Sequence, residues 1–503
     1  MKQILIITFA LLTSIQVFSQ TFDCSSNLKW LTETFEKNDA GFQYVIDIKG
    51  EHSYATHNKM YSEKASKISD LNECHTLLND WTAFFREGHL NVQLIAQSQN
   101  TTEETGPSDK EIIEKYKNTE QFKIEKQEFE NYVDKLGNNP GFEGVWSYYD
   151  GFYTIGIIKD KTNSNREYVG FIIDSKSPYW QKNQVKLEIF KTKEGKLSIK
   201  YYMKDHSVLE FEKFEFYGKN TLIAGSSYNL FADPNSTSFK RVLPKIVTNE
   251  KVDRYFNLLY ANKPSIEKVS DNTLLLKIPS FSYTNKKTID SLLDSNADLI
   301  KSTENLIIDV RYNGGGADAS YEKIKPYLYT NPIRRIGMEF LSTELNNKRM
   351  VDFMNDPDWS DDDKKWAKES LKKLNKHIGE FVNLSESIVS IDTLKNVYPN
   401  PKNVAILING NCGSTTEQFL LEAKQSKKVK LFGTTTAGVL DISNMYSVVS
   451  PSKEFKLGYS LSKSHRIPAM TIDGKGIQPD YYFDKTIKPY EWIDKTIEIL
   501  NYK

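Results

Sequence analysis

The chain has 503 residues, more than a single hydrophobic core usually serves, so we expect two or three domains. Its 66 Lys and Arg residues balance its 66 Asp and Glu residues, which argues against a protein built to coat nucleic acid or an anionic membrane. A hydrophobic content of 39% with 12% aromatic residues is enough for packed cores and argues against wholesale disorder.

Residues 1–19 have the pattern of a secretory signal peptide. Lys2 gives a basic start, residues 4–18 are mostly apolar, and Ser19 is the small residue before the expected cleavage point. The apolar stretch is too short and too interrupted for a stable membrane span. We therefore expect an exported protein, periplasmic or extracellular, that begins near Gln20 or Thr21, has no transmembrane segment in the mature chain and is folded in an oxidising compartment.

Residues 20–97 are predicted to form a helical domain. Residues 70–73 have a capping-box sequence, and the apolar side chains from Leu71 to Phe85 recur at helical spacing. The helical pattern stops at Gly88, directly before His89. Cys24 and Cys74 each lie in an amphipathic segment, so they are either one disulfide that ties two helices together or two buried thiols.

Residues 98–250 are predicted to be a linker followed by a β-rich module. From residue 141 to residue 233 the apolar pattern alternates with period two, which is typical of an antiparallel sheet or a small barrel. The predicted strands are Trp146–Ile158, Tyr168–Ile173, Val185–Phe190, Leu197–Met203 and Leu209–Phe216. The aromatic residues Trp146, Tyr148, Tyr149, Phe152 and Tyr153 leave open a carbohydrate- or surface-binding role, although aromatic strand residues usually lie in a core.

Residues 251–503 alternate apolar strands with helical stretches, which is typical of crossover units on a largely parallel sheet. Leu274–Ile278, Leu306–Val310 and Val404–Ile408 are predicted to be strands buried on both faces. The charged stretch Ser360–His377 is predicted to be a helix, either a solvated surface helix or a lid.

Ser414 is the candidate nucleophile. The apolar strand at 404–408 breaks at a glycine-containing turn, residues 409–413, and a helix start follows at once, so one hydroxyl can be presented at a helix N-terminus. Ser414 and Glu417 could instead be a capping box that simply begins the helix. Cys412 is interpreted as a small apolar filler of the turn.

Residues 309–316 end in three consecutive glycines after a strand. Such a loop can point backbone amides into a cavity, as an oxyanion hole or a phosphate cradle requires. The phosphate interpretation is weak because the Lys-Ser/Thr ending of a nucleotide-binding loop is absent. Two further glycine motifs follow, at residues 433–439 and 473–480.

Taken in order, these motifs resemble the core of the tail-specific and tricorn-like serine peptidases. The matching stretches are 278–281, 307–316, 413–417, 433–438 and 476–480, so the resemblance extends from about Thr273 to Asp480. It implies a ClpP/crotonase-like α/β core, a mixed and mostly parallel sheet with crossover helices, beside the N-terminal helical part and the β-rich module. It also implies hydrolysis of protein or peptide substrates by a serine nucleophile.

The resemblance further implies roles for individual residues. In the tail-specific branch the base is a lysine in the loop after the nucleophile's helix, but residues 432–446 contain no lysine. In the tricorn-like branch a histidine at the end of the N-terminal helical part is the base, and His89 matches it. Asp473 matches the position of the acidic third member of the catalytic triad, where that branch usually has the longer Glu. Backbone amides of Gly315, Gly316 and Thr415 would form the oxyanion hole.

Several alternatives stay open at this point. His89 could be a helix C-cap histidine, His465 is the rival base, and Glu417 is a candidate supporting residue. The same fold could also bind a peptide or an apolar ligand without cleaving it. The histidines show no ligand spacing, so we expect no metal, no cofactor and no nucleic-acid partner. No PDZ-like carboxylate loop is present between Gln97 and Val252, so selection of a free substrate C-terminus is not expected.

Overall fold

The computed structural model describes residues 22–95, 109–148, 151–203, 206–225, 237–247, 250–357 and 359–502. The predicted signal peptide and the first residues of the 98–250 segment lie outside these ranges. None of the helices within them combines the length and the hydropathy that a membrane span requires.

The α-helices of the described ranges, in chain order, are α1 (Cys24–Asn38), α2 (Phe42–Lys49), α3 (Glu51–Ala65), α4 (Leu71–Thr82), α5 (Asp109–Tyr116), α6 (Lys126–Val133), α7 (Glu250–Leu259), α8 (Tyr283–Ser295), α9 (Ala297–Ser302), α10 (Lys325–Leu328), α11 (Lys348–Asn355), α12 (Asp361–Leu374), α13 (Thr415–Ala423) and α14 (Trp492–Asn501).

The strands are β1 (Asn91–Leu94), β2 (Gly144–Tyr148), β3 (Tyr153–Lys159), β4 (Tyr168–Ser175), β5 (Val185–Lys191), β6 (Leu197–Tyr202), β7 (Val208–Phe211), β8 (Lys213–Tyr217), β9 (Thr221–Gly225), β10 (Thr237–Leu243), β11 (Ser265–Ser270), β12 (Thr273–Lys277), β13 (Asn305–Asp309), β14 (Ile333–Ile336), β15 (Met338–Leu341), β16 (Phe381–Asn383), β17 (Val389–Asp392), β18 (Asn403–Ile408), β19 (Val429–Gly433), β20 (Ile442–Val449), β21 (Phe455–Ser464) and β22 (Tyr481–Tyr482).

The chain divides into two compact units, and neither is one continuous segment. The first unit combines residues 1–97, 334–392 and 438–476, and the second combines residues 98–333, 393–437 and 477–503. This division differs from the expected boundaries at 20–97, 98–250 and 251–503. Two segments of the expected 251–503 core belong with the N-terminal helices, because their strands pair with β1 and with one another.

In the first unit, α1 to α4 pack on a sheet with the order β1-β21-β15-β16, in which β21 also pairs with β20. Their shared core includes Trp81, Phe35 and Leu457. A disulfide joins Cys24 in α1 to Cys74 in α4, which decides between the two alternatives for these cysteines. The Asp70 carboxylate caps α4 as expected, since it accepts the amides of Asn72 and Glu73 at 2.9 Å.

The end of α4 differs from the expectation. The helix stops at Thr82, although the apolar spacing continues to Phe85. The amides of Phe84 and Phe85 donate to the carbonyls three residues back, those of Trp81 and Thr82, so the chain continues in tighter turns than those of an α-helix. Phe85 nevertheless remains buried. The helical spacing of the apolar side chains therefore continues beyond the last residue of the helix.

The second unit is built on a six-stranded sheet with the order β11-β12-β13-β18-β19-β22. Only β11 is antiparallel, and β12, β13, β18 and β19 run parallel with almost every residue buried. The predicted buried strands are thus confirmed: β12 and β13 are displaced by one residue towards the N-terminus, and β18 begins one residue earlier than predicted. Because the strands are parallel, the turns that follow β12, β13, β18 and β19 all leave from one edge of the sheet.

The β-rich module is a nine-stranded antiparallel sheet with the order β7-β6-β5-β4-β3-β2-β10-β9-β8. Its two edge strands, β7 and β8, are consecutive in the chain and separated by Glu212 alone. One intervening residue spans only about 7 Å, so the sheet must curl until its edges meet at this corner. The concave face is filled by a core that includes Trp146, Ile157 and Phe239. Of the five aromatic residues singled out in the sequence, Tyr153 also belongs to this core and Tyr148 packs against it, Phe152 is exposed, and Tyr149 lies outside the described residues.

Candidate active site

Ser414 lies between β18 and α13, at the carboxyl edge of the parallel sheet. Its backbone has φ 55° and ψ −124°, a region that residues other than glycine rarely adopt. Such strain costs on the order of 1–3 kcal/mol and persists where the surrounding structure imposes it, most often at functional sites. A sharp strand-turn-helix with a strained serine at its tip is a geometry that exposes a nucleophilic hydroxyl.

The capping-box alternative for Ser414 fails on the same geometry. Ser414 occupies the N-cap position of α13, yet its side chain makes no capping hydrogen bond. Glu417 does not reach back to the N-cap either. Its carboxylate is fully buried and accepts the hydroxyl of Thr436 at 2.5 Å. Thr436 Oγ1 in turn accepts the amide of Ile477 at 2.7 Å, so Glu417 anchors the 433–438 loop to the segment after residue 476.

The glycine loop that follows β13 lies directly against Ser414. A Cβ placed on Gly315 would lie 2.8 Å from Ser414 Cβ and 2.9 Å from the Thr415 nitrogen, so only glycine fits there. Gly315 also has φ 111°, which favours glycine independently. However, the Gly315 amide donates to Asn313 Oδ1 at 3.0 Å, in a buried hydrogen bond. Contrary to the expectation, the Gly315 amide is therefore not an oxyanion donor. The role of Gly315 is to let the glycine loop approach Ser414 closely.

The Gly316 and Thr415 amides are the better donors for an oxyanion. Phe281 bonds to the backbone on either side of Gly316, through Gly315 O and the Ala317 amide, which turns the amide of Gly316 away from Phe281. The Gly316 carbonyl accepts the Thr415 hydroxyl at 2.9 Å, so this face of Gly316 lies beside the start of α13. Among the described residues neither amide has a hydrogen-bond acceptor. Two amides next to Ser414 can thus receive a negative oxygen.

A buried ion network supports the turn from below. Asp309, at the end of β13, accepts two hydrogen bonds from the Arg311 guanidinium, and Lys277 Nζ lies 3.5 Å from it and donates to the Arg311 carbonyl at 2.8 Å. Desolvation opposes ionisation of Asp309, but the Arg311 and Lys277 charges prevail and lower its pKa to about 2. Sequence reasoning missed Lys277, because a lysine in an apolar strand has no local signal.

Cys412 confirms its interpretation as a filler of the turn. It is fully buried, and its thiol donates to the Val310 carbonyl at 3.1 Å. Burial raises the pKa of the Cys412 thiol to about 12, so the nucleophilic thiolate is not populated near neutral pH.

His89 lies in the first unit, in the segment between α4 and β1. Its Nδ1 lies 2.8 Å from the Ile442 carbonyl, and because a carbonyl can only accept, Nδ1 carries the proton and Nε2 is left with its lone pair. This bond, seven residues beyond the end of α4, excludes the C-cap alternative. Burial lowers the pKa of His89 below its ordinary 6.5, and the nearby Arg86 charge acts in the same direction.

A second buried ion pair holds the backbone of His89, which has φ 54°. Arg86 forms a bidentate ion pair with the buried Asp39 carboxylate, at 2.8 and 2.5 Å. The same guanidinium donates to the carbonyls of Gly88 and His89, at 3.1 and 3.0 Å, and the Ser460 hydroxyl donates to the His89 carbonyl at 3.1 Å. The Asp39–Arg86 pair therefore fixes the strained segment that carries the imidazole.

Asp473 lies close to His89 but is not its hydrogen-bond partner. Its carboxylate accepts the amides of Leu440, Asp441 and Ile442, at 2.6, 2.6 and 3.1 Å. Burial raises the pKa of Asp473 to about 6, the Asp441 charge adds to this, and the amide hydrogen bonds offset part of it. The expectation that Asp473 directly holds the His89 tautomer thus changes to an indirect connection through the backbone of Ile442, whose amide binds Asp473 and whose carbonyl binds His89.

Asp441 completes a reciprocal arrangement that the sequence did not reveal. Its buried carboxylate pairs with Arg466 at 2.7 Å and accepts the amides of Ile472 and Asp473, at 2.6 and 3.1 Å. Each of the two aspartates therefore holds the backbone beside the other. The only local signal was an acidic residue after a glycine loop, which is too common to single out.

His465, the rival base, follows β21 in the first unit. Its amide bonds to Gly337 O, and its Nε2 is buried without a hydrogen-bond partner among the described residues. Within the described residues, no hydrogen bond to a carboxylate or a carbonyl orients the His465 ring. His89 has such a bond, and it is therefore the better-oriented imidazole.

Comparison with known proteins identifies the family. Residues 272–483 match the model of peptidase family S41. This part of the chain is therefore similar to family S41, and the protein is a serine-type peptidase. A search among curated proteins found no match.

Solved structures similar to this peptidase include mature CPAF complexed with lactacystin, at 13% identity and a TM-score of 0.50, over 95% of this chain and 97% of that one. At this identity the likeness shows the fold alone. The photosystem II D1 C-terminal processing protease has 10% identity and a TM-score of 0.39, over 96% of this chain and 98% of that one. The tricorn protease has 12% identity and a TM-score of 0.39, over 95% of this chain and 36% of that one.

The Asp39–Arg86 pair gives a first prediction. Asp39→Asn should lower the free energy of unfolding by about 3–5 kcal/mol, because it leaves a buried guanidinium without its counter-charge. Glu33→Gln, on the helix that Asp39 follows, removes an exposed ion pair with Lys29 at 3.9 Å and should cost less than about 1 kcal/mol. Urea unfolding of both variants is the measurement. Equal losses in the two variants would show that the buried pair is not a major support of this segment.

Proposed function

We propose that the protein is an exported serine endopeptidase that cleaves proteins or peptides through an acyl-enzyme. Ser414 attacks the scissile carbonyl, the amine leaves, and water then hydrolyses the ester on Ser414. The observation that carries the proposal is the strained backbone of Ser414 at the tip of a strand-turn-helix, with a side chain that serves no capping role. The glycine loop against it, with two amides available, supports the same reading.

His89 is the proposed general base. Its pairing with Ser414 rests on the order of the sequence motifs, and its own hydrogen bonding supports the role. With Nδ1–H donated to the Ile442 carbonyl, Nε2 is the basic atom. Nε2 takes the Ser414 proton as the tetrahedral intermediate forms and returns it to the leaving amine, and then it deprotonates the attacking water.

Asp473 is the proposed third member, acting through the backbone of Ile442. It accepts the Ile442 amide proton, and the Ile442 carbonyl accepts the His89 proton. The ionised Asp473 carboxylate thereby holds in place the residue whose carbonyl orients the imidazole and keeps the proton on Nδ1. This arrangement needs no long acidic side chain, which accounts for an Asp where the resemblance leads one to expect Glu.

The Gly316 and Thr415 amides are the proposed oxyanion donors. Each points at an oxygen that becomes negative only in the tetrahedral intermediate, so each contributes more to the transition state than to substrate binding. A single donor of this kind contributes about 2.7–4 kcal/mol in acyl transfer.

Reaction with a fluorophosphonate probe tests the nucleophile and the base. Ser414→Ala should abolish labelling, and His89→Ala should slow labelling by about 10²–10⁴-fold, because a general base contributes on that scale. His75→Ala is the matched control, since His75 is also half-buried in the first unit and one of its ring nitrogens, in this case Nε2, also lies against a backbone carbonyl, that of Val92. It should label at the wild-type rate.

The outcomes separate the candidates. Labelling that survives in Ser414→Ala excludes Ser414 as the nucleophile. Labelling that is unchanged in His89→Ala but slow in His465→Ala transfers the role of base to His465. A folded wild-type protein that does not label at all would favour the alternative of a ligand-binding protein that does not cleave.

The pH dependence of labelling tests the proposed proton chemistry. Reaction needs neutral His89 and ionised Asp473, and their pKa values lie below 6.5 and near 6. The rate should therefore be constant above pH 7 and should fall more steeply than one proton allows as the pH decreases. In Asp473→Asn only His89 titrates. The labelling rate of this variant should be lower than that of the wild type, and it should fall with decreasing pH as the uptake of one proton requires. Because only His89 titrates in Asp473→Asn, a midpoint of that variant's profile above the ordinary histidine pKa of 6.5 would contradict the lowered His89 pKa.

Export is supported by the Cys24–Cys74 disulfide, since such bonds persist in oxidising compartments. Mass spectrometry of the protein recovered from the cells that produce it should give a mature N-terminus near Gln20 or Thr21. The peptides that contain Cys24 and Cys74 should be linked, and Cys412 should be a free thiol. An intact N-terminus with reduced cysteines would indicate that the chain is not exported.

A further inference from the structure

A cavity of about 370 Å³ lies in the second unit, at the amino edge of the parallel sheet. Its walls come from the starts of β18 and β19, from β22 and from the end of α14, and it includes Lys402, Lys427, Lys428, Lys430, Tyr481 and Tyr502. Ser414 follows the opposite end of β18. Since six strand residues span on the order of 17 Å, this cavity is separate from the nucleophile and its glycine loop.

The charged side chains that line the cavity are all positive. Four lysines line it and no acidic residue does. Two of the lysines have acidic partners outside the lining, because Lys402 pairs with Glu304 at 3.3 Å and Lys430 lies 3.8 Å from Asp480. Within the described part of the chain, no ion pair involves Lys427 or Lys428. The cavity therefore keeps two positive charges that no ion pair among the described residues compensates.

Lys428 makes this imbalance costly. Its ammonium nitrogen is buried and has no hydrogen-bond acceptor among the described residues. Burial alone lowers the pKa of Lys428 to about 8, with no neighbouring carboxylate to oppose the shift. A buried cation without a partner is unfavourable unless something else compensates it, and an anion in the cavity would do so.

The remaining walls are apolar and aromatic. The Tyr481 ring stacks on Phe432 with centroids 4.5 Å apart, and Ile499 and Leu500 contribute aliphatic surface. The volume lies within the usual range of small-molecule sites, which combine apolar walls with a few fixed polar groups.

We propose that this cavity, the lysine cavity, binds a small organic anion: a carboxylate or phosphate group held by Lys428 and Lys427, carried on an apolar or aromatic body against Tyr481. Such a ligand compensates the unpartnered ammonium and covers the exposed part of the tyrosine ring. The site is independent of the proposed peptidase mechanism, so either can fail without the other.

Calorimetric titration of the full chain at low salt tests the proposal, with benzoate, phenyl phosphate and inorganic phosphate as probes. Wild type should bind at least one aromatic anion, and Lys428→Met should weaken its affinity at least tenfold. Lys428→Arg should retain most of the affinity. Lys424→Met is the matched control, since this exposed lysine of the same segment does not line the cavity. It should bind as wild type does.

Two further measurements separate a binding role from a structural one. Lys428→Met should melt at the wild-type temperature or above it, because it removes an unsatisfied charge, and it should keep the wild-type rate of fluorophosphonate labelling. Preference for benzoate or for phenyl phosphate identifies the anionic group. The proposal is overturned if no aromatic anion binds at millimolar concentration, if only inorganic phosphate binds, or if Lys428→Met and Lys424→Met bind alike.

Discussion

The parallel register between β13 and β18 is the constraint on which the nucleophile's surroundings depend. Asp309 pairs with Leu407, so both strands end at the same level and the loops after them leave side by side. The Gly413 amide donates to the Asn313 carbonyl and the Cys412 thiol to that of Val310, which joins the two loops. A register shift of one residue would separate Ser414 from the glycine loop and would turn buried side chains to the wrong face.

Both candidate catalytic side chains lie on backbone of positive φ, and in both cases buried charge supports the strain. Beneath Ser414 the support is the network of Asp309, Lys277 and Arg311, and at His89 it is the pair of Asp39 and Arg86. At His89 the Arg86 guanidinium donates to the carbonyls of Gly88 and His89 itself, and in the other network Lys277 donates to the Arg311 carbonyl, at the start of the loop after β13. Buried ion pairs contribute little net stability, but they fix geometry, and geometry is what a proton-transfer site requires.

Local patterns in the sequence predicted much of the fold, because the buried strands and the capped helix are encoded by residues close in the chain. The order of the glycine motifs also led to the correct peptidase class. Pairing between distant strands has no local signal, so the two discontinuous units could not be predicted. The same holds for the site: Ser414 and His89 stand in recognisable motifs, whereas Asp39, Asp441 and the Ile442 carbonyl matter only through the contacts that folding gives them.

The discontinuity of the first unit has a consequence for biogenesis. Strand β1 pairs with β21, whose residues are synthesised long after the N-terminal helices have emerged. Such non-local pairing is slow to form, so the apolar faces of α1 to α4 lack their sheet through most of the chain's synthesis. The disulfide is different, since Cys24 and Cys74 both belong to the first segment and can join early. It can hold the helices together until the rest of their sheet arrives.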